Sequence, residues 1–190
     1  DTFRFEEDRL LRAALEAVQM REWAPAAAWA SQRLAGRSVW LDDEPARRKA
    51  WKLIERATQL AAAIEGSKLS FADARNLDEA TRRYAEQGAA IDRMHREFEQ
   101  QADRDAEQLP HREQVRGALV AARACWFGWA DVRALEWSKL CEQEGPLPNA
   151  DLQQRNVFDK EVEPLLGERE RTAFFVVDAL RFEMAQQLVE

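Results

Sequence analysis

Apolar residues recur every three or four positions along most of the chain, which is the spacing of one helix face. The first such segment, residues 5–22, carries its acids toward its start, where the helix dipole favours negative charge. Its predicted buried stripe comprises Leu10, Leu11, Ala14, Leu15 and Val18. Pro25 lies near the first turn of a second predicted helix, which runs through about residue 34, and Gly36 is placed to end it.

A third helix is predicted to run to about residue 64, where Gly66 stops it. Asp42 or Asp43 can cap this helix, with Pro45 in its first turn. Its buried side is predicted to comprise Trp51, Ile54, Thr58 and Ala61.

Two long helices follow, and their patterns predict an antiparallel pair. Asn76 can cap the first, which extends to about residue 102 with a nearly heptad rhythm. Its apolar positions are Leu77, Ala80, Tyr84, Ile91, Met94 and Phe98. The second, residues 112–143, has apolar side chains at intervals of 4, 3, 4 and 3, namely Val115, Leu119, Ala122, Trp126 and Trp129. Its second half is apolar on more than one face, so we expect other elements to sandwich it.

The pattern changes near residue 170. After the break "GPLPN", a shorter helix is predicted from about Asp151 to between Pro164 and Gly167. Residues 173–177, "AFFVV", are then a short apolar run rich in Phe and Val, which is typical of a strand buried on both faces. A broad apolar helix follows Asp178. We therefore predict a mainly α fold, with a multi-helix region at 1–168 and the start of an incomplete α/β domain at 169–190.

Asp178 stands at the carboxyl end of the predicted strand, where ligands gather in parallel α/β sheets. It has two interpretations: the N-cap of the next helix, or a site residue. Arg181 occupies the capping-box position and opposes the helix dipole, so it is expected to serve an anionic group such as a substrate oxygen or Glu183. Phosphatases with an Asp nucleophile usually carry a second Asp two residues later, and Leu180 at that position disfavours them. Integrin-like metal sites need Ser there and again two residues beyond, where this chain has Leu180 and Phe182. A metal ligand at the first strand of a two-metal phosphohydrolase stays open.

Composition favours a globular protein: of 190 residues, 46% are hydrophobic and 33% charged. The net charge of −7 opposes a nucleic-acid polycation, and the basic runs at 47–49 and 82–83 are flanked by acids and predict solvated helix faces. The start has no signal-peptide pattern, and no apolar run approaches the ~20 residues of a membrane span. Cytoplasmic localisation is expected.

Other residues that could carry chemistry have simpler interpretations. The seven tryptophans and nine phenylalanines recur at helical spacing beside Leu and Ala, which predicts core packing and not a base-stacking surface. His95 and His111 stand in no recognisable metal-ligand spacing and are expected at helix surfaces or ends.

The stretch "FFVVDALRFEMAQQL" resembles the opening motif of the PglZ domain, the phosphatase-like component of BREX and Pgl bacteriophage-defence systems, in the alkaline phosphatase superfamily. The resemblance extends over about residues 76–190, through "NLDEATRRYAEQGAAIDRMHREFE", "LEWSKLCEQEGPLP" and "QQRNVFDKEVEPLL". It implies that Asp178 is a ligand of a divalent metal, zinc in the best-known members. Arg181 and Glu183 match the motif as possible support without a definite role.

In that superfamily the hydroxyl nucleophile and the other Asp and His ligands come later in the domain. The resemblance therefore implies a piece of a longer metal-dependent hydrolase, and we expect this chain alone to have no catalytic residue, no bound zinc and no activity. Its partners would be other phage-defence proteins, and the unpaired strand could mediate self-association. The alternatives are a purely structural helical interaction module and a nucleic-acid-binding helical domain. No membrane partner is expected.

Overall fold

A computed structural model of the chain describes residues 3–36, 38–166, 173, 174, 177 and 180–189. Within these ranges the protein is mainly helical, as predicted, and no residue lies in a β-strand. The helices are α1 (Arg4–Gln19), α2 (Trp23–Ala35), α3 (Val39–Asp43), α4 (Pro45–Gly66), α5 (Leu77–Arg83), α6 (Ala89–Asp105), α7 (Arg112–Glu144), α8 (Glu163–Leu166) and α9 (Phe182–Val189). In this part of the chain, no helix combines the length and the apolar character that crossing a bilayer requires.

Several helix ends follow the local signals. Asn76 caps α5, because its side chain accepts a hydrogen bond from the backbone N–H of Glu79 at 2.9 Å. Gly66 is the last residue of α4. The predicted cap of α4 is wrong: Pro45 is its first residue and Glu44 precedes it, while Asp42 and Asp43 belong to α3.

A π-helical turn, Tyr84–Gly88, joins α5 to α6 without interruption. Glycine is required at position 88 because two neighbouring side chains lie too close to leave room for a Cβ atom. A Cβ atom at this position would lie 2.6 Å from Cδ2 of Tyr84 and 2.9 Å from Cδ2 of Leu69.

The described residues form two compact units. One draws on Asp1–Lys68 and Ile91–Asp131, and the other on Leu69–Ala90 and Val132–Glu190. The division falls within the α5–α6 helix and within α7. The boundary predicted at residue 168 lies outside the described residues.

The first unit holds a continuous apolar core contributed by α1, α2, α4, α6 and α7. The predicted stripe of α4 is buried, since Trp51, Ile54, Thr58 and Ala61 are each at most 3% exposed. The predicted stripe of α1 is buried as well, except that Leu10 is only partly covered.

The predicted antiparallel pairing of the two long helices is confirmed where α6 meets α7. Trp126 donates its indole N–H to Asp92 at 3.2 Å, and Arg123 donates two hydrogen bonds to Glu99 at 2.9 and 2.7 Å. Residues later in α6 thus contact residues earlier in α7, so the two helices run antiparallel. The ring of His95 stacks on Trp126 with centroids 3.8 Å apart.

The second unit has few buried apolar residues, and arginines attach its loop 67–76 to the neighbouring helices. Glu136 of α7 accepts the backbone N–H of Phe71 at 2.8 Å, and Arg133 donates to the carbonyl of Leu69 at 2.5 Å. Arg83 donates to the carbonyl of Ser70 at 2.9 Å and also binds Asp73 and Glu79. The buried apolar residues of the second unit are Leu69, Phe71, Leu77, Ala80, Ala89, Leu140 and Val162.

The second half of α7 differs from expectation. Phe127, Val132 and Leu135 are 54%, 45% and 63% exposed, so this apolar surface is not sandwiched. Helical spacing tells which side chains share a face but not whether another element covers that face. The expectation that the aromatic residues are core is also wrong at Phe3, Phe5, Phe158, Phe174 and Phe182, which are all exposed.

The chain after α7 is less regular than predicted. Two short 3₁₀ segments, Ala150–Leu152 and Gln154–Asn156, and a π-helical turn, Phe158–Val162, replace the single helix before α8. Only Val162 is buried from 157 to 166, which leaves little apolar packing to hold a longer helix. The predicted strand is not shown: Ala173, Phe174 and Val177 have no regular secondary structure, and residues 175 and 176 lie outside the described residues.

Candidate functional site

The terminal motif, residues 172–188, contains all three site residues predicted from the sequence. Asp178 lies outside the described residues. The backbone carbonyl of Arg181 accepts the N–H groups of Met184 and Ala185, both at 3.0 Å, so α9 begins immediately after Arg181. Arg181, and not Asp178, therefore directly precedes the helix, which weakens the N-cap interpretation of Asp178.

The structure brings Arg181 and Glu183 together. The side chain of Glu183 is 1% exposed and its Oε1 lies 3.3 Å from Nε of Arg181, which is about half exposed. Glu183 lies in the first turn of α9, where the positive end of the helix dipole stabilises a carboxylate. The guanidinium and the helix end thus both compensate the buried charge.

The surface around α9 is apolar. The ring of Phe182 lies 6.3 Å from that of Tyr84, centroid to centroid. An open cavity of about 460 Å³ is lined by Phe182, Ala185, Gln186 and Val189. None of these four side chains titrates, so the described lining of the cavity is a contact surface.

The described residues do not fit a hydrolytic metal ion. Among them, no group of three or more His, Cys, Asp or Glu side chains is close enough to hold one. Glu183 is engaged by Arg181, His95 is stacked on Trp126, and Nε2 of His111 lies 3.3 Å from Oδ1 of Asp8. These residues therefore support no metal-dependent step by themselves.

A buried charged cluster in the first unit was missed by the sequence analysis. Glu7 of α1 is fully buried, accepts the indole N–H of Trp51 at 2.9 Å and lies 3.3 Å from Nη2 of Arg33. The three residues come from α1, α4 and α2, so the cluster joins three helices. The signal for it was present: Glu7 precedes Leu11 by four residues and so lies on the apolar stripe of α1.

A second charged group surrounds Arg47, which is 6% exposed. Arg47 donates to Asp8 at 2.9 Å and to Glu44 at 2.5 Å. The expectation of a solvated basic run is thus wrong at this residue. Arg47 shares its helix face with Trp51 and Ile54, at spacings of four and seven.

An open cavity of about 680 Å³ adjoins Arg47, and its lining residues are Phe3, Arg4, Phe5, Asp8, Trp40 and Arg47. Arg4 donates to Glu44 at 2.7 Å, and this bond is the first cause of the lowered pKa of Glu44. Two guanidiniums and two carboxylates therefore compensate each other around the cavity. This balance suits a structural tie between α1 and α4 better than the recognition of a charged ligand.

The comparisons with known proteins add no relative: no protein-family model, no curated protein and no solved structure matches the chain.

Proposed function

We propose that the chain is the helical scaffold and partner-contact region of a phosphohydrolase-like phage-defence protein, and that the terminal motif begins the α/β domain of that protein. The observation that carries the proposal is the order of the parts. A mainly helical region precedes a motif that resembles the opening of the PglZ domain. In this proposal the parent protein is a metal-dependent hydrolase, and the present residues hold and orient its catalytic domain.

The geometry of α9 supports this proposal. Glu183 is 1% exposed and lies 3.3 Å from Arg181, and a buried charge is costly unless such a partner compensates it. In the complete domain, Asp178 would be a ligand of a divalent metal, zinc by the resemblance. Arg181 and Glu183 would support the turn that presents it.

The charge distribution favours a scaffold over a nucleic-acid-binding domain. The net charge is −7, and Arg47, Arg83, Arg123 and Arg133 each form ion pairs with acids of the same unit. Guanidiniums engaged in this way are less available to phosphates. Salt-sensitive retention of DNA by the chain would contradict this part of the proposal.

The decisive experiment uses the gene and the longer protein. We expect the coding sequence beyond residue 190 to continue into strands that end in Asp, His and Thr or Ser. We expect the longer protein to hydrolyse p-nitrophenyl phosphate, and Asp178→Asn to abolish that activity. Asp159→Asn, at an exposed position, is the matched control and should leave activity unchanged. A stop codon at this point, or full activity in Asp178→Asn, would overturn the proposal.

The chain alone is tested by calorimetric titration with zinc or manganese. We expect no stoichiometric submicromolar binding, since one carboxylate cannot replace the three or more protein ligands that such a site needs. A submicromolar site that disappears in Asp178→Ala would show that the chain itself holds a metal centre.

The competing function is a purely structural interaction module without an attached enzyme. The observation that favours it is the exposed apolar surface of α7. Sequencing the gene beyond residue 190 distinguishes this function from the proposed one, because an interaction module needs no catalytic domain after it.

A further inference from the structure

The first unit presents one uncovered helix face that is apolar in its middle and charged at its ends. On α7, Val120 is 61% exposed and Phe127 is 54% exposed. Ala124 lies between them and is also exposed. Arg116 and Asp131, both exposed, stand at the two ends. At about 100° per residue these five side chains lie within roughly 80° of one another around the helix, and we call them the α7 face.

The charged ends of the α7 face have no partner within the described residues. No ion pair of Arg116 or Asp131 is found there, whereas Arg123 on the same helix is engaged by Glu99. An open groove of about 400 Å³ runs beside the face, with Gln19, Arg21, Gly117 and Ala121 among its lining residues. The helix can therefore be approached closely from this side.

The order of residues on the α7 face is complementary to itself. The point between Arg123 and Ala124 is the midpoint of two residue pairs along the helix. One pair is Arg116 and Asp131, and the other is Val120 and Phe127. When two copies of α7 lie antiparallel across this point, Arg116 of each faces Asp131 of the other, and Val120 of each faces Phe127. A parallel arrangement would instead bring like charges together.

We infer that the α7 face binds the α7 face of a second copy of this chain, in an antiparallel, two-fold symmetric pair. Charge complementarity favours a second copy as the partner, because the two-fold symmetry places an Arg116–Asp131 pair at both ends of the interface. Exposed Arg21 and exposed Glu113 also line the groove near Arg116, and their opposite charges compensate each other, so the Arg116 guanidinium carries the attraction for Asp131 of the other copy. Arg123 lies beside the centre, and Glu99 compensates its charge with two hydrogen bonds.

The test measures the dimer dissociation constant of the 190-residue chain by sedimentation over the micromolar range. Each of Arg116→Glu and Asp131→Arg should raise the constant about tenfold, since each creates two like-charge contacts per dimer. The double variant R116E/D131R restores opposite charges and should return to within about threefold of the parent chain. Arg9→Glu, an equal charge reversal at an exposed position of α1, should change nothing.

Crosslinking tests the geometry independently of affinity. Cys125 and Cys141, both free, are first replaced by serine. Ala124→Cys in this background should form an intermolecular disulfide on oxidation, because the two copies meet at this position. Glu142→Cys, exposed on the same helix, should not. Circular dichroism checks that each variant is folded.

A chain that stays monomeric throughout the micromolar range overturns the inference. So does a double variant that remains as weak as the single ones, which would mean that the charges do not meet. A monomer that binds a different protein through Val120 and Phe127 also overturns it and assigns the face to that protein.

Discussion

The two units of the molecule are stabilised in different ways. The first has a continuous apolar core that includes Trp51 and Phe98, and its buried charges at Glu7 and Arg47 are paired with charged groups of the same unit. The second buries few apolar residues and attaches its loop 67–76 through arginine and glutamate side chains. Unit one should therefore unfold cooperatively, while the loop of unit two should open locally at lower free energy.

Removing a large core side chain should produce the largest effect. Phe98 is fully buried, so Phe98→Ala should lower the free energy of unfolding by about 3–5 kcal/mol, measured by urea denaturation. Phe5→Ala is the control, because Phe5 is 62% exposed and its removal should change stability by about 0.5 kcal/mol or less. Equal losses in the two variants would contradict the assignment of the core.

Releasing the loop of unit two should have a smaller and local effect. Glu136→Ala removes the acceptor of the Phe71 N–H, and hydrogen bonds to charged groups contribute about 1.5–3 kcal/mol. Hydrogen exchange at the Phe71 amide should accelerate about 10- to 100-fold. Glu142→Ala, exposed on the same helix, should leave that amide unchanged. Unaltered exchange in Glu136→Ala would mean that the hydrogen bond from Phe71 to Glu136 does not hold the loop.

The Glu7 cluster tests whether the buried charge of the first unit stabilises the fold only while its hydrogen-bond donor is present. Trp51→Phe keeps one six-membered ring, but it removes the indole N–H that donates to Glu7 and leaves a cavity in the core. We expect the unpaired carboxylate to cost about 1–3 kcal/mol in the free energy of unfolding, and the cavity to add to this loss. Adding Glu7→Leu should recover part of this loss, because the carboxylate that lacks its donor is then absent. A single variant as stable as the parent protein would mean that the hydrogen bond contributes nothing.

The smallest expected effect is on the stability of the protein at low pH. Hydrogen bonds from Arg75 first, and then from Arg83, lower the pKa of Glu79 from 4.5 to about 2. Because the folded-state value is the lower one, this carboxylate adds stability above about pH 4.5 and loses that contribution as the pH falls toward 2. Glu79→Gln should flatten the acid unfolding curve in this window, and salt should weaken the effect because the carboxylate is only partly buried. A carboxylate that titrates near 4.5 by NMR would contradict the expectation.

The candidate site shows how far sequence reasoning reached. Arg181 was expected to serve an anionic group such as Glu183, and the two side chains do meet. Residues two apart do not face each other within a helix, so the contact depends on α9 beginning after Arg181. Glu7 and Arg47 were missed as buried charges, because acids near a helix start and basic runs are usually solvated, and only the neighbouring helices supply the compensating groups.

The rhythm of apolar residues was sufficient for the helical class and for the ends of α7, predicted at 112–143 and observed at Arg112–Glu144. It was also sufficient for the buried stripe of α4, because local spacing defines a helix face wherever the chain lies. It could not tell that Phe127 is exposed while Phe98 is buried, since both occupy apolar positions of long helices. Burial is a property of what packs against a face, and that depends on residues distant in the chain.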